Sequence, residues 1–336
     1  MATISKVSYY LPKTKFSNLE YYKSDKIKKI IKKVGIDNKF IASANQTAVD
    51  LASSCLKEFF KDNEKLKKKI NFLIYCTQSP EFFLPSGSSI IQKEIFKGHN
   101  IGAIDINLGC SGYVYSLSIA KALVESKIYK NVLIVTSETY SKFINRKNIG
   151  VAAIFGDGAS ATLIESSKNE IFKFDQGTDG SGYLDLIVPG SGLGEIPKKA
   201  KKNLGKFKDH QLYMNGPAMF NFAINEVPKS IIKTLIKNKM KLENIDFFIL
   251  HQANQYMLET IRDKLKIPKK KFYINLENVG NTTSSSIPIS IYRAVKEKKL
   301  KKNMKVLLCG FGVGFSWSSC VIKLSNLLKI NFKKKF

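Results

Sequence analysis

The sequence predicts an α/β protein built from two duplicated halves, residues 1–170 and 171–336. Two observations carry this expectation. Short apolar runs of strand length alternate with longer helical stretches, the pattern of sheets with helices packed on their faces. In addition, several segments recur in one order at an offset of roughly 170 residues.

The repeat begins with a Lys-rich helical stretch, 48–61 in the first half and 228–239 in the second. A doubly buried strand follows: Ile70-Asn71-Phe72-Leu73-Ile74-Tyr75-Cys76 is matched by Ile245-Asp246-Phe247-Phe248-Ile249-Leu250-His251. Ile106-Asn107-Leu108 is matched by Ile274-Asn275-Leu276. Each leads into a small-residue loop, a helix and a further strand, over 131–137 and 304–310 respectively. The Gly- and Ser-rich stretch 175–195 reads as turns joining the halves, or as a loop shaping a substrate entrance.

Composition narrows the function classes. At 336 residues and 44% hydrophobic, the chain can bury a large core. No run approaches the ~18 apolar residues of a membrane span, and the opening lacks a secretory layout. A soluble cytoplasmic protein with no membrane association is therefore expected. Five scattered cysteines without a CxxC, and three histidines, indicate neither a disulfide framework nor a metal site. The net charge of +28 is spread along the chain, including Lys198 to Lys202 and the tail Phe332 to Phe336. That spread fits compositional bias toward lysine, or an acidic protein partner. No nucleic-acid-binding module is present, so nucleic acid is not an expected partner.

Three segments can carry chemistry. In Gly109-Cys110-Ser111-Gly112 a strand turns sharply into a helix, which places Cys110 where the helix dipole and free amides favour a thiolate. A small buried cysteine at a strand end would share that motif. His251 follows the repeated strand at the position equivalent to Cys76. Asn281, in Gly280-Asn281-Thr282, falls in the loop equivalent to the one carrying Cys110. The duplication thus brings Cys110, His251 and Asn281 together across a pseudo-twofold axis, a plausible acyl-transfer constellation.

Those motifs, with Phe155-Gly156-Asp157-Gly158-Ala159 and Gly310-Phe311-Gly312-Val313-Gly314-Phe315-Ser316-Trp317, resemble the β-ketoacyl-[acyl-carrier-protein] synthase III family of thiolase-fold condensing enzymes. The resemblance runs over nearly the whole chain. It implies a thiolase-like five-layer αβαβα fold and a homodimer. It implies acyl transfer from an acyl-CoA or acyl-carrier primer to Cys110, then condensation with a malonyl-carrier thioester and loss of CO2. His251 and Asn281 would hold the enolate oxygen, and the backbone amides of Cys110 and Val313 would form an oxyanion hole. Asn254, Gly216 and Phe220 would bind substrate, with Leu84 closing the acyl pocket from the partner subunit. An acyl carrier protein is the implied partner, and no cofactor is implied.

The chain departs from the family's acetyl-CoA-priming members. Ile149 stands for an arginine that brackets adenine, Tyr256 for one that helps dock the carrier, Pro217 for an asparagine and Leu84 for a phenylalanine. These departures predict a primer other than plain acetyl-CoA. The alternatives are non-decarboxylating acyl transfer to a hydroxyl or amine of a sugar or metabolite, and a hydroxymethylglutaryl-CoA-synthase-like reaction with Glu138 as base. A binder of nucleic acid or an anionic surface, driven by charge alone, would leave the three site residues unexplained.

Overall fold

The computed structural model describes residues 1–167, 171–197, 209–324 and 329–330. The lysine run 198–202 and the tail 332–336 lie outside the described residues. In the first half, β1 (Ala2–Tyr10), β2 (Thr14–Ser17), α1 (Asn18–Tyr21), α2 (Asp25–Val34), β3 (Asn38–Ile41) and α3 (Ala48–Phe60) precede β4 (Phe72–Cys76). Then come α4 (Gly87–Ile95), β5 (Gly102–Ile106), α5 (Gly112–Glu125), β6 (Asn131–Glu138), α6 (Ile149–Ala152) and β7 (Gly158–Ser166). The second half has β8 (Ile171–Thr178), β9 (Leu186–Ile187), β10 (Tyr213–Met214), α7 (Gly216–Lys237), β11 (Phe247–Leu250) and α8 (Gln255–Lys264). It ends with β12 (Phe272–Tyr273), α9 (Ser286–Lys296), β13 (Lys305–Gly312), β14 (Ser316–Lys323) and β15 (Lys329–Ile330).

The duplication read from sequence is written into the topology. One sheet runs β15-β1-β7-β6-β4-β5 and the other β8-β14-β13-β11-β12. Setting aside β15, the two have the same strand order and the same directions. Antiparallel pairs (β1/β7 and β7/β6, β8/β14 and β14/β13) are followed by parallel ones (β6/β4 and β4/β5, β13/β11 and β11/β12). α5 and α9 lie between the sheets, α3 and α4 cover the outer face of the first, and α7 and α8 pack outside the second. The architecture is the five-layer αβαβα arrangement.

Each interlayer seam has its own apolar cluster. Phe59, Phe60, Tyr75 and Phe96 fill the seam under α3, and Tyr113, Leu117, Ile249 and Leu308 fill the one between the sheets. Fully burying one such large side chain is worth about 1.5–3 kcal/mol. The α3 start is fixed by a capping box between Thr47 and Asp50.

Two expectations fail locally. Residues 175–178 are not a turn: they complete β8, and Asp175 itself is buried. Glycine content masked a strand whose alternation begins before it. The helix expected over 228–239 starts at Gly216 and runs through Pro228, with Asn215 capping it and Pro217 in its first turn. Buried Val227, Pro228 and Ile231 show tertiary packing outweighing the local cost of an interior proline.

Candidate active site

Equivalent loops of the two halves meet at the C-terminal ends of the parallel strands. Cys110 sits between β5 and α5, and Asn281 between β12 and α9. His251 directly follows β11 and keeps its ladder going, its N–H donating to Cys309 O at 2.8 Å. Cys76, at the end of β4, occupies the equivalent place and donates its thiol to Leu108 O at 3.0 Å. A Cβ on Gly112 would lie 2.3 Å from Cys76 Sγ, so only glycine lets this strand end approach the helix that follows Cys110.

Cys110, His251 and Asn281 share one cavity of about 170 Å³, walled by Phe155, Met219 and Phe311. Gly216, Phe220 and Asn254 also line it. Asn254 uses its Oδ1 to cap α8, accepting from Met257 N at 2.9 Å. All three central residues are buried.

Asn281 is held by main chain and side chain alike. Its N–H donates to Ile154 O (3.1 Å) and its carbonyl accepts from Gly156 N (2.9 Å), forming a bridge to the Phe155-Gly156-Asp157 motif. Asp157 in turn accepts from Ala42 N and Ser141 N, which anchors that motif. Asn281 Oδ1 accepts from Thr283 N at 2.9 Å, which leaves Nδ2 pointing at His251 Nε2, 3.4 Å away. Ser286 Oγ lies 2.7 Å from His251 Nδ1 and can donate or accept there, so it supports either neutral tautomer. Burial lowers the His251 pKa to about 3, so the ring is neutral across the physiological range.

Cys110 behaves differently from the sequence expectation. It precedes the Ser111 cap of α5, as predicted. Burial, reinforced by the Glu138 carboxylate, nevertheless pushes its thiol up rather than down. Desolvation outweighs the dipole, so the group rests as a thiol, and neutral His251 shares its cavity.

The remaining predicted positions lie elsewhere. Leu84 does not line the Cys110 cavity. It is 84% exposed beside Phe82 and Phe83, on a loop bordering a larger cavity of about 890 Å³. Val313 follows Gly312, which lines the Cys110 cavity, but itself borders that larger space, as do Tyr183, Leu186, Val188 and Gly192. Tyr256 stacks on Phe220 at 5.4 Å and 13°, at the lip of the Cys110 cavity.

Glu138 is no free base. It is fully buried and accepts from Gln78 N (3.1 Å), Ser79 Oγ (2.9 Å) and Ser284 Oγ (2.9 Å). Burial pushes its pKa up to about 8. Its oxygens are engaged and it does not line the cavity, which removes the geometry a hydroxymethylglutaryl-CoA-synthase-like base requires. Sequence reading missed Ser286 and the Glu138 cluster as supports of the site, because neither stands out in a hydroxyl-rich stretch.

Comparison with known proteins fits this geometry. A family model described as 3-oxoacyl-[acyl-carrier-protein (ACP)] synthase III matches residues 104–180, and one for the C-terminal part of the same enzyme matches 235–324. A β-ketoacyl-[acyl-carrier-protein] synthase III of Caldanaerobacter subterraneus subsp. tengcongensis is 34% identical over 325 residues, spanning 94% of this chain and 96% of that one. The chain belongs to the 3-oxoacyl-[acyl-carrier-protein] synthase III family. The namesake from Clostridioides difficile (strain 630) is also 34% identical, over 96% of this chain and 98% of its own. A crystal structure of a 3-oxoacyl-(acyl-carrier protein) synthase from Burkholderia xenovorans LB400 superposes with a TM-score of 0.92 at 29% identity, covering 98% of this chain and 97% of that one. The two synthase III matches take in Cys110 on one side and His251, Asn281 and Val313 on the other. No described helix is long and apolar enough to cross a membrane.

Proposed function

We propose that this chain is a condensing acyltransferase of the synthase III type with Cys110 as its acyl carrier. The observation that carries the reading is the convergence of Cys110, His251 Nε2 and Asn281 Nδ2 on one largely apolar cavity. Cys110 Sγ attacks the primer's thioester carbonyl while His251 Nε2 takes the thiol proton and passes it to the departing thiol. The backbone amides of Cys110 and Val313 steady the tetrahedral oxyanion. In the second half-reaction the malonyl C–CO2 bond breaks and its electrons pass into an enolate. His251 Nε2–H, with Ser286 accepting or donating at Nδ1 as the tautomer requires, and Asn281 Nδ2 both donate to that enolate oxygen. The enolate carbon then attacks the acyl-Cys110 carbonyl, the S–C bond breaks, a 3-oxoacyl thioester leaves, and the Cys110 thiolate takes up a proton from solvent to restore the thiol.

His251 Nε2 and Asn281 Nδ2, 3.4 Å apart in one cavity, could both reach one enolate oxygen, which favours decarboxylation over plain transfer to a hydroxyl or amine, a reaction that needs no enolate holder. Asn254, Gly216 and Phe220 line the channel for the thioester arm. No cofactor takes part. Ile149, Tyr256 and Leu84 in place of the acetyl-CoA-type residues favour a primer that is longer, branched or carrier-bound. The exposed Phe82-Phe83-Leu84 loop supports a homodimer in which Leu84 meets the partner's acyl pocket. The division at 170/171, with the nucleophile in one half and the His and Asn in the other, and a cytoplasmic location belong to the same reading.

Intact-protein mass spectrometry after incubation with acetyl, branched and longer thioesters tests it. The expected result is a stable acyl adduct, absent in Cys110→Ser, with CO2 release that needs both His251 and Asn281. An adduct that survives in Cys110→Ser would overturn the assignment.

A further inference from the structure

A second cleft, of about 340 Å³, lies behind the wall of the Cys110 cavity, and Phe155 lines both. Residues of β2, of β3 and of the segment after β6 form it. Its chemistry is one-sided. Lys39, Lys142 and Arg146 line it, and no carboxylate among the described residues does. None of the three cations is in a salt bridge with a described residue.

Two of these cations are held close together. Lys39 and Arg146 both stand over the Phe16 ring, each 5.3 Å from its centre. Lys39 is only 4% exposed, so its charge is poorly screened by water. Burial, opposed by Asp157 and reinforced by Arg146, lowers its pKa to about 8. Asp157 gives the cleft little free acceptor capacity, because its oxygens already accept from Ala42 N, Ser141 N and Ser141 Oγ.

Lys39 is also fixed in place. Its Nζ donates to Ala152 O at the end of α6. A Cβ on Gly156 would lie 3.2 Å from Lys39 Cβ, and one on Gly280 2.8 Å. The stem is thus wedged between the two segments that the Phe155–Asn281 bridge joins. The ammonium group is presented to the cleft before any ligand arrives, which lowers the ordering cost of binding one.

We propose that this cleft is a binding site for a phosphate group, free or carried by a small metabolite, with Lys39, Lys142 and Arg146 as its counter-ions. A phosphate dianion can accept from the guanidinium fork and from two ammonium groups at once. It would also relieve the repulsion between Lys39 and Arg146. The cleft holds roughly ten times a water molecule's share of liquid volume, more than a bare phosphate fills. Phe16, Ile41 and Ile144 offer an apolar wall for a short organic part. The site is separate from the Cys110 chemistry, so binding is read without turnover.

Equilibrium dialysis of the full chain at fixed ionic strength tests it, with radiolabelled inorganic phosphate and ribose 5-phosphate as probes. Wild type is compared with Lys142→Gln/Arg146→Gln and with Lys65→Gln/Lys68→Gln. All four replaced side chains are exposed, so the core is untouched. The second pair removes the same formal charge before β4, whereas the cleft follows the C-terminal end of the parallel strand β6. Wild type should take up one phosphate group per chain saturably. The cleft variant should bind about tenfold or more weakly, and the Lys65/Lys68 variant should match wild type. Tighter binding of the ester would identify a phosphorylated metabolite as the occupant, and equal binding would identify inorganic phosphate. Either result upholds the site. Uptake that does not saturate, or equal losses in the two variants, would reduce it to the general basicity of the chain and overturn the proposal.

Discussion

Gly312 lies against Cys110, the proposed nucleophile, and replacing it by alanine would insert a methyl group into that contact. The new Cβ would sit 2.6 Å from Cys110 Cβ and 3.0 Å from Sγ. Relaxed carbon contacts need about 3.5–4.0 Å, so the nucleophile must retreat by about 1 Å or the end of β13 must give way. Gly312 pairs with Ser316 of β14, and Ser316 Oγ is tied to Ser111 Oγ at 2.7 Å, so both sides of the contact are braced, and because Cys110 Cβ is fixed to the main chain, relief requires the Cys110 turn itself to shift. A displacement of about 1 Å in a reacting group costs on the order of 100-fold in rate. Overpacking a rigid core costs about 1–3 kcal/mol of stability, which a domain of this size tolerates. The expected outcome is a folded Gly312→Ala protein whose Cys110 acylates about 100-fold more slowly in stopped mass-spectrometric time courses. Acylation at the wild-type rate, with an unchanged thermal midpoint, would refute the reasoning that Gly312 sets the position of the sulfur.

Other perturbations follow from the same geometry. Ser286→Ala removes the partner of His251 Nδ1 and should slow CO2 release more than acylation, by about 10- to 100-fold, with Ser286→Thr restoring part of it. Asn281→Ala should abolish decarboxylation yet leave the acyl-Cys110 adduct detectable by mass. Stability should also vary with pH in a defined way. His251, whose pKa falls from 6.5 to about 3 on folding, makes the protein lose stability as pH drops through that interval, because the unfolded chain binds the proton first. Glu138, raised from 4.5 to about 8, does the reverse, so stability falls as pH rises between those values. The two slopes, each about 1.4 kcal/mol per pH unit, oppose each other between 4.5 and 6.5 and leave a plateau there. Urea titrations across pH should show that plateau, and Glu138→Gln should remove the decline on its alkaline side.

Cys110, His251 and Asn281 were legible in the sequence because covalent connectivity marks them. Each ends or follows a duplicated strand, and two stand beside glycines. What sequence could not supply was the sign of the environment. The helix after Cys110 is visible as a pattern, but the burial that outweighs its dipole depends on α7 and β13 closing over it. Glu138 reads as an available carboxylate until Gln78, Ser79 and Ser284, remote in sequence, are seen to occupy it. Ser286 sits among five consecutive hydroxyl residues, Thr282 to Ser286, and only the fold assigns one to His251, one to Glu138 and one to Thr136. β8 hid behind its glycines, and the start of α7 hid behind Pro228.

The bridge from Asn281 to Ile154 and Gly156 joins segments about 125 residues apart in the chain. The site is therefore complete only once segments of both halves have paired. A chain that has folded only its first half holds Cys110 but neither His251 nor Asn281, so on the proposed reading it can neither capture nor squander a thioester. Once both halves are engaged, an acyl group lodged between them acts as a native-state ligand and suppresses their separation. Amide exchange at residues 154–156 and 281 would then slow on acylation, making the seam between the halves a reporter of whether the enzyme is loaded.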